Sequence, residues 1–199
     1  MDNKLKILNF LAKNSGRAFT LRELSVALNI PYATFHRKIK GMGHLIRVDT
    51  IGRAKIPILN LSNPNLVPYL AVSSIEERDE FLRKQPVIRA ISGQIPDNAT
   101  AILFGSYAKG KETKKSDIDL MIFDDSGKTG LSFRESELLF GKHINPIVFT
   151  KKEFRAMIWD TKENVGKQAI SSHILLSGPI PFWEMVVDGL RSRALRGGV

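Results

Sequence analysis

The sequence predicts an α/β protein, α+β in detail, with a small mixed sheet in its C-terminal part and a compact helical module ahead of it. Three observations carry that expectation. Between Phe104 and Phe123 an apolar stretch leads into Gly105-Ser106, and eleven residues after Ser106 an Asp117-x-Asp119 doublet opens a second apolar stretch. Charge is uneven: residues 1–65 hold 11 Lys and Arg against 3 Asp and Glu, net +8, and the rest hold 19 against 17, net +2. Helical periodicity fills the chain up to Met42, and a hairpin pattern follows it.

Length and composition set the outer bounds. At 199 residues the chain buries one good core or two small ones. The absence of cysteine excludes disulfides and Cys-ligated zinc, leaving oxygen donors for any metal. No apolar run approaches the roughly 20 residues of a membrane span. Lys4 and Lys6 interrupt the N-terminus, which therefore has no signal-peptide core, and a cytoplasmic protein is expected.

Residues 4–13 place Leu5, Leu8, Leu11 and Ala12 on one helical stripe, ending at Asn14-Ser15-Gly16. Thr20 and Glu23 form a capping box for a helix from Leu21 to Leu28. Pro31 stands where a first-turn proline belongs, and a third helix runs to about Met42. Phe35, Ile39 and Met42 share its apolar face, and Tyr32, Thr34, His36, Arg37 and Lys40 lie on the other. Strand-like runs Leu45–Val48 and Lys55–Leu61 flank a turn with Gly52 and Arg53.

Three helices followed by a basic hairpin resemble the winged helix-turn-helix family over residues 3–61. The resemblance implies a double-stranded DNA-binding domain (residues 1–63) whose third helix enters the major groove while the hairpin touches backbone or minor groove. Tyr32, Thr34, His36, Arg37, Lys40 and Arg53 are then the DNA-contacting set. Winged helices also pair to read two half-sites, which makes a homodimer a candidate state. Lacking a nearby partner ligand, His36 reads as a surface residue or phosphate contact.

Ser62-Asn63-Pro64-Asn65-Leu66-Val67-Pro68 is rich in turn formers, so residues 64–72 are expected to be a linker. A helix from Ser74 to Lys84, a second from Val87 to Gln94, a turn at Ile95-Pro96-Asp97-Asn98 and a strand from Ala99 to Phe104 follow. Gly105 after that strand lets the backbone approach phosphate oxygens with no Cβ in the way. Ser106 adds a hydroxyl and opens a helix whose N-terminus favours anions. Lys109, Lys111, Lys114 and Lys115 crowd the loop beyond. Carboxylates at alternate strand positions point to one face, so Asp117 and Asp119 are placed to hold hard divalent cations.

Apolar residue, Gly-Ser, spacer and Asp-x-Asp together resemble the DNA polymerase β-like nucleotidyltransferase superfamily, closest to its minimal nucleotidyltransferases. The resemblance implies a domain over residues 73–192, with Gly105, Ser106, Lys109 and Lys115 holding nucleotide phosphates. Asp117 and Asp119 become the catalytic metal ligands for Mg²⁺ or Mn²⁺. The family's third carboxylate falls on the next strand, His143–Phe149, where this chain has Asn145. An amide oxygen can still bind a cation, but it cannot accept a proton. Pro146 beside it signals an edge strand or a bulge. Glu112, Asp124, Asp125 and Glu135 are the alternative carboxylates, with Asp124 and Asp125 read as a solvated turn.

Beyond that strand, Thr150 caps a helix and Lys162–Ala169 reads as another. Ile174–Leu176 is strand-like, Phe182 and Trp183 are expected in the core, and Arg191, Arg193 and Arg196 precede Gly197-Gly198 as a basic end. Three functions stay open. One is metal-dependent transfer of a nucleoside monophosphate, AMP from ATP, to a hydroxyl. Another is a DNA-binding regulator whose core binds nucleotide without turning it over. By resemblance, the third is the antitoxin of a nucleotidyltransferase-type pair with a separate small helical toxin.

Overall fold

A computed structural model describes residues 1–96, 98–125, 131–160 and 162–196, with side chains through Ser192. Asp97 of the expected turn, the side chains of Arg193 and Arg196, and Gly197-Gly198 lie outside the described residues. Among the described residues there are ten helices and six strands, in two compact units, Met1–Ser73 and Ser74–Val199.

In the first unit, α1 (Asn3–Lys13) starts at Asp2, whose side chain accepts from the Lys4 amide. The Thr20–Glu23 capping box is present and starts α2 (Leu21–Ala27). The third helix, α3, spans Tyr32–Lys40. Pro31 is its N-cap at ψ 133 rather than a first-turn residue. Strands β1 (Ile46–Ile51) and β2 (Ala54–Leu59) pair antiparallel from Ile46↔Leu59 to Ile51↔Ala54, turning through Gly52 at φ 59. Ile7, Leu8, Leu24, Phe35, Ile39 and Ile46 are all buried beneath these elements.

The stretch expected as a linker is largely helical: α4 runs from Leu66 to Leu82. Asn63 shapes its start, with its Oδ1 accepting from the Asn65 amide and its backbone carbonyl from Leu66 N. Pro68 sits in the first turn, where a missing N–H costs nothing, and Leu66 and Leu70 are fully buried. Burial of that apolar face outweighs the turn propensity of the flanking residues.

The second unit continues through α5 (Pro86–Ser92), β3 (Thr100–Phe104), α6 (Gly105–Ala108), β4 (Ile118–Phe123), α7 (Arg134–Phe140) and β5 (Ile144–Phe149). It closes with α8 (Lys151–Trp159), α9 (Val165–Ser171), β6 (Ile174–Ser177) and α10 (Pro179–Arg196). The four-stranded sheet has the order β5-β4-β3-β6. It is mixed, as expected: β4 and β5 are parallel, and the other neighbours are antiparallel.

Alternation along the strands separates two faces. Leu103, Ile118, Leu120, Ile122 and Ile144 pack in one cluster with Ile88 and Ile91 of α5. On the opposite face Phe123 meets Phe154 at 4.6 Å between ring centroids, and Phe182 packs edge-on to Trp183 at 5.2 Å. Phe182 and Trp183 are fully buried, and the Trp183 indole N–H donates to Ser74 Oγ at 2.8 Å.

Strand β5 lies at an edge, which accounts for Pro146. The Ile118 amide donates to the His143 carbonyl, so the backbone groups of His143 and Asn145 face β4. Those of Ile144 and Pro146 face outward. The Ile144 N–H is taken by Glu137 Oε1 at 2.9 Å.

Candidate functional site

Strand β3 ends at Phe104, and the chain turns through Gly105 at φ +72 into α6, a single helical turn. A Cβ at Gly105 would collide with Asp119 Oδ2, and it would lie 3.1 Å from the carboxylate carbon. Glycine is required twice here, by the left-handed backbone and by the carboxylate beside it. Ser106 follows in that turn, half-buried. With only four residues, α6 supplies backbone N–H groups but little of the macrodipole expected from a longer helix.

Asp119 is fixed by its strand. It pairs with Phe104 of β3 on one side and Asn145 of β5 on the other. Its carboxylate therefore spans three elements, with Oδ2 at the Gly105 turn and Oδ1 accepting from Asn145 Nδ2 at 3.4 Å. Asn145 of β5 stands in register beside Asp119. Asp117 differs from expectation. It keeps the two-residue spacing but stands one residue ahead of β4, exposed and outside the ladder.

Lys109 ends the α6 turn, and Lys115 lies in the turn before Asp117; both are exposed. That turn is closed internally, with Thr113 N–H donating to Ser116 Oγ at 2.9 Å and Ser116 N–H to Thr113 O at 3.1 Å. Sequence reasoning misses Lys142, whose Nζ donates to the Lys114 carbonyl at 2.6 Å. It also misses Glu137, which accepts from His143 Nδ1 at 2.8 Å and from the Ile144 amide. The Ile144 N–H, and then His143, hold the Glu137 carboxyl below its ordinary range. No spacing in the sequence points to either contact, because both depend on where α7 meets β5.

Two of the alternative carboxylates are engaged elsewhere. Glu112 accepts from Gln85 Nε2 at 2.8 Å. Asp125 accepts the Lys151 amide at 2.9 Å, in the first turn of the helix that Thr150 caps, instead of forming a merely solvated turn. Glu135 is exposed in the first turn of α7. Among the described residues no group of three His, Cys, Asp or Glu side chains is placed to share a metal. What remains is the Asp119 carboxylate and the Asn145 amide at the Gly105 niche, with the Asp117 carboxylate two residues ahead of Asp119 in the chain. Such a hard-oxygen donor set fits Mg²⁺ or Mn²⁺.

A second polar feature lies in the first unit. Arg37, Lys40 and Arg53 are exposed, Tyr32 is 50% exposed, and Thr34 and His36 are half-buried. Tyr32 and His36 stack at 6.0 Å. A groove of about 400 Å³ between α3 and the hairpin is lined by His36, Lys40, Arg47 and Lys55 above Leu21 and Ile39. Sequence reasoning does not include Arg47 and Lys55 in the basic set. Lys38 is drawn away toward Asp2 at 3.6 Å.

Residues 86–174 match the family model described as "Nucleotidyltransferase domain". That stretch contains every element of the Gly105–Asp119–Asn145 niche and excludes the basic N-terminal unit. Searches of curated proteins and of solved structures returned no match.

Proposed function

We propose that the C-terminal unit transfers a nucleoside monophosphate, AMP from ATP, to a hydroxyl acceptor, with Asp117 and Asp119 as its anionic centre. The observation that carries this reading is the niche in which a Cβ-free backbone turn faces the Asp119 carboxylate. A phosphate can be reached there by backbone N–H groups and by Ser106 Oγ from one side, with carboxylate oxygens on the other. Mg²⁺ or Mn²⁺ held by Asp117 and Asp119, with the Asn145 amide turned to offer its oxygen, would supply Lewis-acid polarisation of the phosphate under attack.

The chain's own residues do the rest. Ser106 and the Gly105 turn orient the triphosphate, while Lys109 and Lys115 offset the charge of the departing pyrophosphate. The acceptor hydroxyl oxygen bonds to the α-phosphorus as the α–β bridging oxygen leaves with pyrophosphate, and the hydroxyl proton passes to solvent. Asn145 takes no proton in this step, because an amide has no basic site of that kind. Incubation with labelled ATP, Mg²⁺ and cell extract should label an acceptor, and Asp117→Ala or Asp119→Ala should abolish the label. Metal-dependent ATP binding without any label would replace the enzyme reading by that of a nucleotide sensor.

We further propose that the N-terminal unit binds double-stranded DNA through α3 and the hairpin. The basic groove lined by His36, Lys40, Arg47 and Lys55 favours this reading, as does the net +8 of residues 1–65. In fluorescence anisotropy with duplex DNA, Arg37→Ala should weaken binding and lower the salt slope by about 1. Failure of the full chain to bind any duplex at low salt rejects the proposal.

A further inference from the structure

We propose that Lys142 is the positioning residue of this site: its ammonium clamps the turn ahead of β4 and thereby holds Asp117 in place for metal binding. The inference rests on the nucleotidyl-transfer reading above. It starts from an asymmetry between the two carboxylates. Asp119 is locked between β3 and β5 by its strand register. Asp117 lies outside the ladder and is exposed, so its position depends on the turn that delivers it.

That turn is gripped from outside by a side chain far along the sequence. Lys142 Nζ donates to Lys114 O at 2.6 Å and reaches Thr113 O at 3.4 Å. The same ammonium lies 6.0 Å from the centroid of Tyr107, a residue 5% exposed in the turn that begins Gly105-Ser106. One cation thus links the phosphate-side turn and the metal-side turn. Its own anchor is firm, because the next two residues, His143 and Ile144, are both tied to Glu137 Oε1.

The chemistry argues for a dedicated clamp rather than a chance contact. The turn sits in a run holding Lys109, Lys111, Lys114 and Lys115, so a further cation meets like charges unless carbonyls engage it. Two backbone carbonyls do, with the charge-assisted strength that a neutral donor lacks. A supporting contact of this kind orients a ligand it never touches, and losing it characteristically costs about 10–100-fold in metal affinity.

The test is a titration of Mn²⁺ alone, followed by EPR, into the full-length chain and its Lys142→Met, Lys142→Arg, Ser116→Ala and Asp119→Ala variants. Lys142→Met should weaken Mn²⁺ binding about 10–100-fold with little change in Tm. Lys142→Arg, which retains a cationic donor, should restore binding to within a few-fold. Ser116→Ala loosens the same turn from inside and should weaken binding while Lys142 is intact. In kinetics, the loss in Lys142→Met should be recovered by raising the metal concentration. Mn²⁺ binding by Lys142→Met equal to wild type overturns the proposal, and so does a loss that Lys142→Arg fails to restore. If wild type and Asp119→Ala bind Mn²⁺ equally, the transfer reading itself falls and the clamp falls with it.

Discussion

Replacing Gly105 by alanine perturbs the site in two ways that can be separated. At φ +72 any L-residue other than glycine pays about 1–2 kcal/mol for the left-handed backbone. The new methyl also meets the Asp119 carboxylate, with Cγ at 3.1 Å and Cβ at 3.3 Å in addition to the collision with Oδ2. That carboxylate has no easy retreat, since its strand is paired on both sides and Asn145 lies against its other oxygen. Overpacking of this kind adds about 1–3 kcal/mol. Together the losses come to roughly 2–5 kcal/mol, or a fall in Tm of about 8–20 °C at about 4 °C per kcal/mol. Displacing Asp119 by about 1 Å should also cost about 100-fold in transfer rate.

Gly110 supplies the control. It has φ +62, but nothing lies within 4 Å of a Cβ built there. Gly110→Ala should therefore lose only the backbone part, about 1–2 kcal/mol, and keep its activity within a few-fold. Calorimetry and label transfer on both variants, beside wild type, make the comparison. Asp119→Ala in the Gly105→Ala background should recover part of the lost stability by removing the obstacle. Equal Tm and equal activity for the two glycine variants would refute the claim that Gly105 is kept for the carboxylate.

Asn145→Asp sets two carboxylates side by side, so the metal-free chain should lose a few degrees in Tm. It should gain more than wild type from added Mn²⁺, as thermal shift can read; no added metal response would show that Asn145 does not face the metal. Ser74→Ala leaves the buried Trp183 N–H without its 2.8 Å acceptor and should cost about 1–3 kcal/mol in urea unfolding, with m unchanged. Glu137→Gln tests linkage. Because the folded carboxyl is held below its ordinary value by the Ile144 N–H and then His143, its stabilisation is complete above the unfolded value of about 4.3. It is lost as pH falls through the lowered folded value. The Tm gap between wild type and Glu137→Gln should thus be constant near neutrality and narrow below about pH 4; a gap that widens on acidification would contradict the sign.

Local signals make much of this architecture legible in the sequence alone. Thr20–Glu23 and Thr150 announce helix starts, because a capping box is written in four consecutive residues. The Gly105–Asp119 relation is readable because a strand, a glycine turn and a period of two are local patterns. Three features are hidden for one shared reason, which is that partners distant in sequence decide them. Leu66 and Leu70 turn the Pro-rich stretch into helix by being buried. Asp117 leaves the ladder because the β4–β5 pairing begins at Ile118↔Ile144. Lys142 finds Lys114 across 28 residues, a separation at which no periodicity carries information.

The outward side of β5 has a consequence for how this protein keeps company. A bare sheet margin is a template on which any extended chain can add itself, leading to aggregates or strand exchange. Here the first outward donor, at Ile144, is already occupied by Glu137, and the next position is Pro146, which has none to give. The margin closest to Asp119 is therefore a poor place for another strand to zip on. Strand addition beside Asp119 is thereby discouraged, and the sheet that carries this carboxylate is spared from being lengthened there.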